Sequence, residues 1–269
     1  MAKSTVRDMT TGGIMKNIIK FCLPLMVGNL FQQFYNMADI IIVGQFVGKT
    51  ALSAVGSVGS LNFLVIGSVI GLCTGFTVPV AQRFGAQDFF ALKKYVANII
   101  YTTGVLGVII TVAAVMLTNP LLQLLNTPAD IYTDAYNYIV IIFAGIGATM
   151  LYNILASLVR ALGDSKTPLY FLVFSSILNI VLDILLITRF DMGVRGAAVA
   201  TIFSQFVSGV LCLVYVKKKF PVLHITKETR SLDFNCVKNL IKNGIPLALQ
   251  FSITAVGSVM LQSSSTDMD

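Results

Sequence analysis

The sequence predicts an all-α protein that crosses a membrane several times, and three observations carry that reading. The 269 residues are 56% hydrophobic and only 12% charged, with a mean hydropathy of +0.83. The apolar residues gather in blocks of about twenty, the length a helix needs to cross a hydrocarbon core at about 1.5 Å per residue. The basic residues fall mainly on alternate connections between those blocks, as they do in multi-pass proteins.

A net charge of +7 would also suit a nucleic-acid binder. No basic patch interleaved with aromatic residues lies outside the apolar blocks, so nucleic acid is not an expected partner. Cys22, Cys73, Cys212 and Cys236 show no ligand spacing, and the single histidine, His224, lies in a loop. Neither a metal cluster nor a disulfide framework follows.

Seven apolar spans are expected, at about residues 18–43, 59–80, 95–118, 135–158, 169–188, 196–216 and 243–262. The first follows the basic stretch MAKSTVRDMTTGGIMKNIIK. It runs well beyond a signal-peptide core and has no small-residue cleavage pattern, so it reads as an uncleaved span. It contains Pro24, a polar stripe of Asn29, Gln32, Gln33 and Asn36, and then Asp39 near its end. The stripe suits either a cavity lining or packing against other helices, and Gln32, Gln33 and Asn36 are the candidate substrate-cavity residues. The second and third spans are separated by Arg83, Lys93 and Lys94, and the fourth carries Tyr136 and Tyr138. With no Trp in the chain, tyrosines must supply any interfacial belt.

Between the fourth and fifth spans, LGDSKTP carries helix punctuation. Gly163 suits a helix C-terminus, Asp164 or Ser165 can cap, and Pro168 suits a first turn. The fifth span holds Asn179 and Asp183, four apart and so on one helical face. A carboxylate costs about 2.5–3.5 kcal/mol near the bilayer centre and less near the ends, so its default reading is functional. The sixth span begins near Gly196 and presents Thr201.

Orientation follows from the basic residues. With the N-terminus in the cytoplasm, Lys3, Arg7, Lys16, Lys20, Arg83, Lys93, Lys94, Arg160 and Lys166 lie inside, and the loop after the sixth span adds Lys217, Lys218, Lys219, Lys227, Arg230, Lys238 and Lys242. Only Lys49, Arg189 and Arg195 lie outside, which sets the N-terminus inside by the positive-inside rule.

The seventh span opens on an internal repeat. IKNGIPLALQFSITA from Ile241 matches IKFCLPLMVGNLFQQ from Ile19, aligning Pro246 with Pro24. A second copy of a six-span unit needs about 440 residues in all. The chain is therefore expected to be one unit plus the first helix of another, ended early by the polar tail SSSTDMD.

Depth arithmetic collects the buried polar groups. Asp39 and Asp183 are the only acids well inside spans. Both helices run outward, and both acids lie about five residues from the outer end, with Thr201 about five residues into the sixth span and Tyr138 slightly shallower. Two close carboxylates in low dielectric cannot both ionise cheaply, so the pair keeps a proton or recruits a cation. Asn179, Thr201 and Tyr138 can supply oxygen ligands or hydrogen bonds. The expected site thus binds a proton or Na⁺ at Asp39, Asn179, Asp183 and Thr201. Competing readings place either acid in an aqueous groove, Asn179 in a plain interhelical bond, Thr201 on its own backbone and Tyr138 in the belt.

Several stretches together resemble one family. Pro24 and Asp39 are followed by IIIVGQFVGKTALSAVG, then GFTVPVAQRFGAQD from Gly75, RALGDSKTP from Arg160, Asn179 with Asp183, and GAAVATIFSQ from Gly196. In this order they resemble the multidrug and toxic compound extrusion (MATE) transporters. The resemblance implies a six-helix transmembrane lobe, one arm of a V-shaped two-lobe transporter, over 1–220, an inter-lobe loop over 221–239, and the first helix of the other lobe over 240–269. It implies cation-coupled antiport of small organic cations across the plasma membrane (the inner membrane in bacteria), with H⁺ or Na⁺ as coupling ion and no other cofactor. By the same resemblance Asp39, Asn179, Asp183, Thr201 and Tyr138 fall on the N-lobe cation site. Some members carry a glutamate in the seventh helix, where this chain has Gln250 and Thr254. Alternatives are a flippase for lipid-linked sugars in the same superfamily, against which the scarcity of Lys and Arg inside the spans argues, and a non-transporting fragment. No nucleophile and base pair suggests an enzyme.

Overall fold

A computed structural model describes residues 14–266. Among them every regular element is helical: α1 Ile14–Phe46, α2 Lys49–Ser57, α3 Gly59–Phe76, α4 Val78–Gly85, α5 Phe89–Leu124, α6 Ala129–Ala144, α7 Ile146–Ala161, α8 Lys166–Thr188, α9 Gly193–Lys219, a 3₁₀ turn at Pro221–Leu223, and α10 Phe234–Thr266. Lys3 and Arg7, used for orientation, lie outside the described residues.

Each expected span meets a helix or a pair of helices, with three local departures. The connection after the first span is itself the short helix α2, entered through Gly48 at φ +121°, a conformation that favours glycine. The second span breaks at Thr77, whose hydroxyl donates to the Thr74 carbonyl (2.8 Å), and resumes as α4 with Pro79 in its first turn. The fourth span divides at Gly145 into α6 and α7, bent by 48°. A Cβ on Gly145 would lie 2.3 Å from Ile202 Cδ1. The side chain of Ile202 on α9 thus occupies the space a larger residue would need, and the helix bends at the glycine.

By length and composition, α3 with α4, α5, α8 and α9 can each cross a membrane, and the bent pair α6 and α7 makes a fifth span. The 33-residue helices α1, with its polar stripe, and α10, both expected as spans, are not among them. The equally long α10 contains Pro246 as α1 contains Pro24, and its backbone stays helical to Thr266, so the polar tail does not end the helix where its serines begin.

The helix α7 is the axis of the bundle, buried almost continuously from Ile154 to Val159 and packed against α3, α5 and α9. Large apolar side chains face outward instead: Val105, Val108 and Met116 on α5, Leu23, Leu30 and Phe34 on α1, and Ile177 and Val181 on α8. Such an apolar exterior is what a lipid-facing surface requires.

The LGDSKTP hairpin resolves which residue caps. Gly163 takes φ +86°. Asp164, not Ser165, receives the first-turn amides, with Oδ1 accepting from Lys166 N and Thr167 N (both 3.0 Å) and Oδ2 from Thr167 Oγ1 (2.6 Å).

Two packing arrangements lie beyond the expected motifs. On α3, Gly67, Gly71 and Gly75 form a four-residue repeat against α10. A Cβ on Gly71 would stand 2.6 Å from the Leu247 carbonyl oxygen, and one on Gly75 2.5 Å from that of Asn243. These glycines bring the two backbones together, as small residues do at membrane helix interfaces. Next to this seam the loop before α10 is clamped to α5. Lys94 Nζ meets Asp233 Oδ2 at 2.6 Å, Asn98 bonds the Ser231 carbonyl (3.2 Å) and the Asp233 amide (2.9 Å), and Tyr101 donates to the Arg230 carbonyl (3.1 Å).

Candidate functional site

The intramembrane acids meet where α1, α6, α8 and α9 converge. α1 brings Asp39 and α8 brings Asp183, both buried, and the two carboxyls stand within hydrogen-bonding reach of one another. The spacing of four on α8 puts Asn179 on the same face, one turn earlier. Its amide is oriented by its surroundings: Nδ2 donates to Asp183 Oδ2 (2.9 Å), while Oδ1 accepts from Thr201 Oγ1 (3.3 Å) and from the Thr201 backbone N–H (3.1 Å).

Tyr35 extends this chain. Its hydroxyl donates to Thr201 Oγ1 at 3.4 Å, a long contact for a hydroxyl pair. A relay of polar atoms therefore runs from Tyr35 on α1 through Thr201 on α9 and Asn179 to Asp183 on α8. Tyr138 on α6 is buried beside Asp39, Tyr35 and Asp183. It sits in the polar layer, not at a lipid-facing belt position.

Each carboxyl keeps an unsatisfied atom. Oδ1 of Asp39 and Oδ1 of Asp183 are buried with no hydrogen-bond partner among the described residues. A buried carboxyl oxygen left unpaired costs at least about 1–3 kcal/mol. Two carboxyls with neighbouring hydroxyls make an oxygen donor set, which suits a proton or a hard monovalent cation better than a soft metal, while Asn179 turns its amide N–H toward Asp183 and its oxygen toward Thr201.

Of the residues expected at the site, Asp39, Asn179, Asp183, Thr201 and Tyr138 are brought together. Tyr35 was not expected, although its place four residues before Asp39 on the same helical face was a usable signal. The polar stripe of α1 divides. Gln32, with Asn29, lines a cavity of about 470 Å³ between α1, α3, α7 and α8, whose other polar walls include Thr74, Asn153 and Arg160. Gln33 and Asn36 are exposed and lie outside that cavity.

The chain matches the MatE family model over residues 24–185. It is 33% identical to "Probable multidrug resistance protein YpnP" of Bacillus subtilis over 258 residues, 95% of this chain and 57% of that protein. With "Probable multidrug resistance protein NorM" of Thermotoga maritima it shares 31% identity over 252 residues, 92% of this chain and 54% of that one. The chain thus spans little more than half the length of the curated relatives it matches. Its fold superposes on that of a MOP superfamily transporter from Pyrococcus furiosus with a TM-score of 0.87 at 27% identity, covering 98% of this chain and 58% of that structure. An outward-facing multidrug resistance MATE family transporter of the same superfamily gives the same TM-score and coverage. With a family match across most of its helices and apolar helices fit to cross a bilayer, the chain is a multi-pass membrane protein that belongs to the MatE family.

Proposed function

We propose that this chain is the lobe of a multidrug exporter that carries the coupling site, and that Asp39 and Asp183 together bind one H⁺ or Na⁺ whose inward movement drives export of small organic cations. The observation that carries the reading is the contact between the two carboxyls, each with an unsatisfied oxygen. With both charged and no cation, α1 and α8 repel across a dry site. A shared cation draws them together.

Asn179, Thr201 and Tyr35 make the site usable in both states. Hydroxyls can donate or accept, so the relay can reorient as the cation arrives or leaves. Tyr138 closes the layer from the α6 side. The organic cations enter an apolar, Met- and Phe-rich lobe, and Gln32 gives a neutral polar contact at the 470 Å³ cavity, whose one cationic wall residue is Arg160. The excess of Lys and Arg on alternate connections sets the N-terminus in the cytoplasm of a plasma-membrane protein, which opens the coupling layer toward the outside.

The test is dye movement in vesicles from cells producing this lobe together with the second lobe of such an exporter. An imposed H⁺ or Na⁺ gradient is expected to drive efflux of a cationic dye, and Asp183→Asn to abolish the gradient-driven part. Gradient-driven efflux unchanged in Asp183→Asn would overturn the assignment.

A further inference from the structure

A second cavity shares none of its lining residues with the coupling layer. It holds about 980 Å³ between α5, α7 and α9, closed at one end by the turn after α9. Its walls are mostly aliphatic, from Ile99 and Val108 on α5 to Met150 and Ile154 on α7, with Thr103 and Thr111 the hydroxyls among them. Glycines make the room: a Cβ on Gly104 or on Gly147 would meet nothing within 4 Å. From Val96 to Val112 the groove follows α5 for about 24 Å, and the exposed Ile100, Val108 and Val112 leave it open sideways.

Only the closed end is charged. Lys217 and His224 line it, and His224 Nε2 bonds the Lys217 carbonyl at 2.6 Å, which fixes the ring beside the lysine. Lys218 and Lys219 follow in the same last turn of α9. Among the described residues none of these three lysines forms an ion pair. A helix C-terminus alone accounts for basic residues here, but not for Lys217 standing at the mouth of a long apolar slot.

We propose that this groove holds one anionic glycerophospholipid, with an acyl chain lying between α5 and α7 and its phosphate on Lys217, beside the ring of His224. The chemistry of the two ends selects the ligand. An aliphatic slot open to the bilayer takes a hydrocarbon chain, and an unpaired basic cluster at the interface takes an anionic headgroup. The site is separate from the coupling layer, so it stands or falls independently of the transport reading.

The experiment is native mass spectrometry of the purified chain in neutral detergent with equal amounts of phosphatidylglycerol and phosphatidylcholine. Wild type is expected to retain one phosphatidylglycerol in preference to phosphatidylcholine. Lys217→Ala is expected to lower that preference about fivefold, the effect of removing one interfacial basic residue. The double variant Gly104→Leu with Gly147→Leu fills the slot and is expected to lower retention of both lipids severalfold, with helical content by circular dichroism unchanged. Equal retention of the two lipids by wild type would overturn the proposal, as would full preference in Lys217→Ala. Undiminished retention in a folded Gly104→Leu, Gly147→Leu protein would do the same.

Discussion

Asp39 on α1 and Asp183 on α8 meet carboxyl to carboxyl in a buried layer, and each leaves one oxygen without a hydrogen-bond partner among the described residues. Their roles differ in support. Asp183 is held by Asn179, whereas among the described residues no side-chain bond from a neutral residue holds Asp39. Asp39→Asn is therefore expected to keep the fold and lose gradient-driven dye efflux, much as Asp183→Asn does, with little change in thermal stability. A loss of folding in Asp39→Asn would show that the carboxylate is structural.

Tyr35 is hydrogen-bonded to the site through Thr201. Removing its hydroxyl in Tyr35→Phe forfeits one neutral hydrogen bond, worth about 1 kcal/mol, and is expected to weaken cation binding about fivefold without abolishing it. Thr201→Val breaks the relay in the middle and is expected to cost more. Cation titration of the purified variants checks the order.

The glycine seam makes a steric prediction. Gly71→Val places carbon where the Leu247 carbonyl stands, within 2.6 Å of the new Cβ, and should destabilise the packing of α3 on α10 by roughly 1–3 kcal/mol or more. Gly59→Ala meets open space and should be nearly neutral. Detergent-solubilised melting curves of the two variants separate these outcomes.

At the hairpin, Asp164→Ala removes the acceptor of two backbone amides and a hydroxyl and should cost about 1 kcal/mol. Ser165→Ala should cost nothing measurable. Equal losses from the two would contradict the assignment of Asp164 as the cap.

The loop clamp predicts a pH dependence. Lys94 at 2.6 Å and the Asn235 amide hold the Asp233 carboxyl below its usual range. A folded-state pKa lowered in this way adds stability that is present above the unfolded carboxylate pKa and is lost as pH falls through the lower folded value. Wild type should therefore lose stability toward acid more steeply than Asp233→Asn. Hydrogen exchange in the 226–233 segment against pH reads this directly.

Much of the site was legible because it depended on single-helix arithmetic. Asp39, Asp183 and Thr201 follow from residue counts along outward and inward helices, and Asn179 from its spacing of four to Asp183. Tyr35 offered the same spacing to Asp39, but a tyrosine in a chain without Trp reads equally well as a belt residue. What the sequence could not show were contacts whose cause lies on another helix. Gly145, at the bend between α6 and α7, leaves the space that Ile202 on α9 fills, and Gly71 and Gly75 matter because α10 lies on them. Gln33 and Asn36 share a stripe with Gln32, yet only Gln32 turns into the cavity, since a run of adjacent polar residues spans more of the helix surface than one cavity can use.

The most direct test of the central claim is cation binding by the purified chain, measured as ²²Na⁺ bound and as protons released on adding Na⁺. The account predicts one cation site per chain in wild type, lost in Asp39→Asn and in Asp183→Asn alike, because the two carboxyls hold a single ion between them. Undiminished binding in either variant would contradict it.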